Sequence, residues 1–322
     1  MRKIILLVFA LALTISACVP QDSGSSTRTS SGAGTSYGVD VSFVPGVPSD
    51  RFYVEEGLTK NANFEVAVEL TNRGEYPKTD IGSLHGRLYL TGFDPSIVRS
   101  RRWDGSDQFT KISGVSSSYP EGGSKQKSFI ADEIYFPSQS REYPISLVLN
   151  ACYYYETHAT ATVCVDPDPR SRSDEQACLI GDVRLDRHKA PLQIRDVRQS
   201  ATSNELEFTI GVSNVGNGKV LTEFGGQGVI SDGNCLNPGF DERDRIAVEA
   251  SVTGLPSGVC SPTGSTNEPL RLFDGRGEIV CRFPIDRISA ESAYTTQMSI
   301  KLRYGYHVSE RKEVTLVNTA RS

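Results

Sequence analysis

Two alternating apolar segments 142 residues apart end in the same way, and this repetition constrains the fold more than any other feature. FEVAVEL from Phe64 places Phe64, Val66, Val68 and Leu70 on one face, and LEFTIGV from Leu206 does the same with Leu206, Phe208, Ile210 and Val212. Period two with β-branched and aromatic residues marks a half-buried strand. The first segment runs into LTNRG (Leu70 to Gly74), the second into VSNVG (Val212 to Gly216). GFD recurs at Gly92 and Gly239, and Phe136-Pro137 recurs at Phe283-Pro284, both at an offset of 147. The strand bearing Leu147, Leu149, Ala151, Tyr153 and Tyr155 matches Met298, Ile300, Leu302, Tyr304 and Tyr306, and Val163 matches Val314, at an offset of 151. Four landmarks in one order imply a tandem duplication.

Each copy spans about 130 residues of short strands punctuated by Gly and Pro, and no long segment has a helical period. That is the signature of an antiparallel β-sandwich of immunoglobulin-like type. The expected organisation is a signal peptide over residues 1–17, a tether over 18–36, a first sandwich over 37–169, a linker over 170–191 and a second sandwich over 192–322. Asn72-Arg73-Gly74 and Asn214-Val215-Gly216 fall where a strand must turn, since Asn and Gly tolerate positive φ. The Tyr-x-Tyr strand of each copy is expected to turn and lead into a closing strand, ETHATATVCV in the first and HVSERKEVTLV in the second. A strand ending in a small polar residue, Asn, any residue and Gly, inside a tandem sandwich, resembles the cell-adhesion-related domain family of bacteria and archaea. The motif covers about a tenth of each copy. The buried Trp and inter-sheet cysteine pair of antibody-type domains are missing. The resemblance implies a surface role and no catalytic residues.

The N-terminus points to the same compartment. Arg2 and Lys3 precede an apolar run from Ile4 to about Leu13, and the small residues Ser16 and Ala17 precede Cys18. A basic start, a short hydrophobic core and a small-residue cleavage site make a secretory signal peptide. Ile15-Ser16-Ala17-Cys18 resembles the lipobox of prokaryotic lipoproteins, which implies a diacylglyceryl group on the Cys18 thiol and cleavage just before it. The expected protein is therefore extracytoplasmic and membrane-anchored, on the cell surface or the periplasmic face, with two acyl chains supplying the hold. QDSGSSTRTSSGAGTSY, from Gln21, reads as a flexible tether. The formal charge of −5 becomes about −7 once Arg2 and Lys3 are removed, which argues against nucleic-acid binding.

Beyond Cys18 six cysteines remain, an even number suited to three disulfides in an oxidising compartment. Cys260 and Cys281 both belong to the second copy and pair with each other. For the rest, a turn around His158 would set Cys152 opposite Cys164 and leave Cys178 for Cys235. The alternative joins Cys164 to Cys178 and Cys152 to Cys235. No metal site is expected, because the closest cysteines are twelve apart.

Catalytic signals are weak. The four histidines (His85, His158, His188, His307) share no ligand-like spacing. Ser124-x-x-Lys127 and Ser309-x-x-Lys312 match a nucleophile pattern but lie in polar sequence expected to be loop. The acidic stretches DPDPRSRSDE (Asp166, Asp168, Asp174, Glu175) and GFDERDR (Asp241, Glu242, Asp244) could offer oxygens to calcium, but lack the EF-hand spacing and read as solvated loops. The sole tryptophan sits in RSRRWDGSD, with Arg99, Arg101 and Arg102 beside Trp103. Such a loop either plugs the end of a sandwich or binds a glycan or another protein. Composition and motifs together imply a non-catalytic surface lipoprotein with no cofactor besides its lipid, working as an adhesion, scaffold or envelope-assembly component through contacts with a protein or the cell envelope. The alternative is a glycan- or ligand-binding module centred on the Arg99–Trp103 loop.

Overall fold

A computed structural model describes residues 37–319 except 55–61, 78–83, 101–105, 137–139, 170–176, 182, 224–234, 263–267 and 286–291. Cys18 and the proposed signal peptide and tether therefore lie outside the described residues. The first copy contains β1 (Val39–Phe43), β2 (Arg51–Val54), β3 (Phe64–Asn72), β4 (His85–Thr91), β5 (Val98–Arg99), β6 (Ser106–Thr110), β7 (Ser124–Ala131), β8 (Glu133–Ile134) and β9 (Glu142–Val165). β10 (Arg184–Leu185) precedes the second copy, which contains β11 (Leu192–Ala201), β12 (Glu205–Asn214), β13 (Lys219–Leu221), β14 (Arg245–Val252), β15 (Val259–Ser261), β16 (Leu270–Arg271), β17 (Arg276–Pro284) and β18 (Tyr294–Asn318). Apart from one 3₁₀ turn at Phe240–Glu242, the regular structure of the described residues is all β.

The expected alternation is what builds the sheets. Phe64, Val66, Val68 and Leu70 of β3 are buried, as are Leu206, Phe208, Ile210 and Val212 of β12. β3 sits between β1 and β7, and β12 between β11 and β17, with β15 beyond it. Register makes the two copies equivalent here, since Val39 faces Asn72 and Leu192 faces Asn214. Both small sheets turn their apolar sides toward a nine-stranded sheet whose path runs β16-β14-β18-β9-β4-β6.

That large sheet departs from the expected layout of two separate sandwiches. β9 does not turn at His158 but continues as a single 24-residue strand, about 80 Å long at 3.3 Å per residue. It pairs antiparallel with β18 along its whole length, from Glu142 opposite Val317 to Val165 opposite Tyr294. Glu156-Thr157-His158 contains no Gly, Pro or Asn to break the strand, and the odd-numbered positions stay apolar through Ala159, Ala161, Val163 and Val165. The closing half of each copy's strand thus enters the other copy's sheet. Val314 and Leu316 of β18 lie beside Ile145 and Tyr143 of β9, next to β2. Ala159 and Ala161 of β9 lie beside Ile300 and Met298. One continuous apolar core spans both copies.

The ladder has a pseudo-twofold axis. Tyr154 faces Gly305, its own equivalent at an offset of 151, with Tyr153 opposite Tyr306 and Tyr155 opposite Tyr304. Two of the four sequence landmarks do not obey this symmetry. By register Phe283 corresponds to Ala131, and Gly92 follows β4 whereas Gly239 precedes β14, so the recurrences of FP and GFD are coincidences of short peptides.

Three disulfides brace the fold: Cys152–Cys235, Cys164–Cys178 and Cys260–Cys281. The Cys152–Cys164 and Cys178–Cys235 scheme fails for the reason the hairpin fails. Twelve residues along one strand set Cys152 and Cys164 about 40 Å apart.

Candidate functional site: the outer face of the shared sheet

At the pseudo-axis the two faces of the large sheet carry different chemistry. Inward lie Tyr153, Tyr155, Tyr304 and Tyr306, each no more than 1% exposed. The Tyr155 hydroxyl accepts from the Tyr76 amide at 3.3 Å, and the Tyr306 hydroxyl accepts from the Gly218 amide at 3.0 Å and donates to Asn214 Oδ1 at 2.9 Å. Asn72 Oδ1 accepts from the Gly74 amide at 3.1 Å, and Asn214 Oδ1 from the Gly216 amide at 3.2 Å. The Asn-x-Gly motif is therefore an Asn-capped corner closed by a tyrosine. Neither Gly74 nor Gly216 has a positive φ, contrary to the expected reason for glycine. A Cβ at Gly74 would overlap the Tyr155 hydroxyl, and one at Gly216 the Tyr306 hydroxyl.

Outward, the same strands present rows of polar side chains. Thr160, Ser299 and Ser251 stand in register across β9, β18 and β14, and the next row is His158, Lys301 and Glu249. A groove of about 470 Å³ runs over these two rows. Glu156 anchors the following row. It accepts from Tyr154 at 2.5 Å, meets His158 Nε2 at 2.7 Å and lies 3.3 Å from Lys301 Nζ. Burial works to raise its pKa, but the bonds from His158 and Tyr154 and the charge of Lys301 outweigh it and hold the carboxyl at about 2. Arg303 bridges Glu223 at 3.2 Å and Glu249 at 2.7 Å. This face offers hydroxyls and paired charges for hydrogen bonding. A carboxylate that stays ionised down to about pH 2 is a poor proton donor at neutral pH.

Alternation could have flagged Tyr154, Glu156 and His158 as the face opposite the apolar one. Their partners on β18, about 150 residues away, are visible only once β9 is known to run straight. Among the expected site residues, Arg99 is exposed, with its guanidinium 4.7 Å from the centre of the Tyr135 ring. Arg101, Arg102 and Trp103 lie outside the described residues. Both Ser-x-x-Lys motifs are on strands and not in loops, so that residues three apart point to opposite faces. Ser124 donates to Glu69, Lys127 pairs with Asp107, and Lys312 pairs with Asp50. In the acidic stretches, Asp241 pairs with Arg245 at 2.7 Å, Glu242 accepts from the Gly239 amide, and Asp166 accepts from the Asp168 amide. Asp174 and Glu175 lie outside the described residues.

No protein-family model matches the chain, and no curated protein matches it. Among solved structures, the crystal structure of the CupB6 tip adhesin from Pseudomonas aeruginosa aligns over 89% of this chain and 99% of that one, at 10% identity and a TM-score of 0.19. A TM-score of that size carries no argument about fold or role.

Proposed function

We propose that this protein is a non-catalytic, extracytoplasmic scaffold, anchored to a membrane through a lipid on Cys18, that holds a partner protein or envelope component against the outer face of its shared sheet. The observation that supports this reading most is the β9–β18 ladder. It joins the two copies along one continuous antiparallel sheet with a polar outer face, which supports a reading of the copies as immunoglobulin-like sandwiches of the cell-adhesion-related kind working as one platform. Three disulfides fit an oxidising compartment. Among the described residues no helix is long and apolar enough to cross a membrane.

A photo-crosslinking residue at Ser299, on the groove, tests the face in intact cells against the same residue at Thr209, on β12 away from it. A discrete adduct from position 299 alone supports the reading, and equal or absent adducts at both positions refute it. Replacing Cys18 with Ser should abolish metabolic lipid labelling, and unchanged labelling would remove the anchor. A second reading, binding of a glycan through the Arg99–Trp103 loop, draws on the exposed Arg99 beside Tyr135. It requires that Trp103→Ala abolish glycan-array binding while leaving the melting temperature unchanged.

A further inference from the structure

The outer face carries a second cluster close to the pseudo-axis. Cys152 on β9 lies directly opposite His307 on β18. Cys235, brought in from the chain ahead of the 3₁₀ turn, covers them, and with Tyr89 the two cysteines form a small apolar cluster apart from the main core. The two sulfur atoms and a ring nitrogen of His307 all lie within 4.8 Å of one another. Bonds of about 2.3 Å to sulfur and 2.0 Å to nitrogen around one tetrahedral ion would place such ligands about 3.5 to 3.8 Å apart, so once the bridge is reduced the two sulfurs must part from bonding distance, about 2.0 Å, to about 3.8 Å to admit a metal.

The surroundings of His307 suit a ligand. Its Nε2 lies 3.1 Å from Asn150 Oδ1, and the Asn150 amide nitrogen is directed to Thr91 Oγ1 and the Val148 carbonyl. Nε2 therefore carries the proton and donates to Asn150, and the lone pair is on Nδ1. A ligating histidine is oriented in this way, by a carbonyl on its other nitrogen. Lys219 on β13 is the register neighbour of His307 on the side away from Cys152. Arg87 stands beside Cys152 on β4, and Arg243 and Asp244 line a pocket of about 160 Å³ that reaches His307 from solvent.

We propose that Cys152, Cys235 and His307 form a redox-gated site for a soft metal ion, Zn(II) or Cu(I), closed while the disulfide stands and open once it is reduced. A dithiol supplies the two electrons and two protons, leaves as its own disulfide, and converts the bridge to two thiols. Metal binding then expels the two thiol protons and forms two metal–sulfur bonds and one metal–nitrogen bond. The site joins three distant stretches of chain, which is why no short cysteine spacing announces it.

The test uses the full chain with Cys18→Ser, reduced by a dithiol under anaerobic conditions and titrated with Zn(II) or Cu(I) against a chromophoric chelator. The reduced protein should bind one equivalent that the oxidised protein does not. The C152S/C235S variant should lose that equivalent, and H307A should weaken it at least about tenfold while keeping native circular dichroism when oxidised. Unchanged affinity in H307A, or retention of the equivalent in C152S/C235S, overturns the proposal. Collapse of the fold on reduction, with neither metal restoring it, overturns it equally.

Discussion

Alkaline solution should unfold this protein before its central tyrosines ionise. The rings of Tyr153, Tyr155, Tyr304 and Tyr306 pack around the pseudo-axis with centroids 5.8 to 6.2 Å apart. Burial raises all four phenol pKa values above the ordinary 10.0, that of Tyr306 to about 12. The folded chain then keeps protons that the unfolded chain gives up, so the contribution to stability is complete below about pH 10 and is lost as pH rises. A phenol that stays neutral in the fold costs about 1.4 kcal/mol of stability for each pH unit above 10, so four cost about 5 to 6 kcal/mol at pH 11. That approaches the whole stability of an ordinary domain, about 5 to 15 kcal/mol. Tyr76, raised to about 12, and Tyr154 push in the same direction. Tyrosinate absorbance and far-ultraviolet circular dichroism followed on one sample decide the matter. The exposed members of the thirteen tyrosines should titrate smoothly near pH 10, and a second, steep rise should coincide with loss of the β signal. Tyr155→Phe should make the fall of stability with pH shallower by about 1.4 kcal/mol per unit. Ionisation of all thirteen with the β signal intact would show that the quartet is not sealed from water.

Four further outcomes follow from the packing. Gly216→Ala should cost about 1 to 3 kcal/mol through its overlap with the Tyr306 hydroxyl, and Tyr306→Phe should relieve part of that cost, whereas strictly additive chemical-denaturation energies would refute the clash. Leu316→Ala should cost about 2 to 5 kcal/mol and speed hydrogen exchange in β2 and in the first residues of β9, and faster exchange confined to the second copy would contradict the crossing of β18. Between about pH 4.5 and 2 the protein should lose the contribution of Glu156, whose folded pKa is depressed, and Glu156→Gln should flatten that loss by about 1 to 2 kcal/mol in urea titrations at pH 7 and pH 3. Non-reducing peptide mapping should recover cross-linked pairs 152/235, 164/178 and 260/281, and a 152/164 peptide would restore the hairpin at His158.

Much of the fold was legible because alternation reports directly on burial. The faces of β3, β12, β9 and β18 follow from which parity is apolar, and the Tyr-x-Tyr equivalence survives in three dimensions. Alternation does not say where a strand stops. Polar Glu156 and His158 look like a turn, yet on a strand they are the outward positions between buried Tyr155, Thr157 and Ala159. The same mistake misassigned the cysteines, since a straight β9 sends Cys152 toward the second copy and Cys164 toward the linker. The Glu156 network and the Cys152–His307 pair were hidden for a related reason. Each depends on β18 lying beside β9, a pairing that neither segment encodes alone. The Arg-Trp loop was readable as chemistry, but three of its four residues lie outside the described ones.

The duplicated Asn-x-Gly motif makes sense once the length of the β9–β18 ladder is considered. A one-residue slip between two long strands would turn every apolar side chain outward and is forbidden by burial. A two-residue slip keeps the faces correct and moves each strand about 7 Å, so hydrophobic pattern alone opposes it weakly. Here such a slip would carry Tyr155 away from the space left by Gly74 and Tyr306 away from that left by Gly216. Each hydroxyl would lose its amide partners, Tyr76 for Tyr155 and Gly218 for Tyr306, and the tyrosine would meet a side chain where a glycine had made room. Cys152–Cys235 adds a covalent stop between the copies at nearly the same level of the ladder. The glycines, the tyrosines and that bridge act together as a register lock at the pseudo-axis, the one place from which both ends of the ladder are equally controlled.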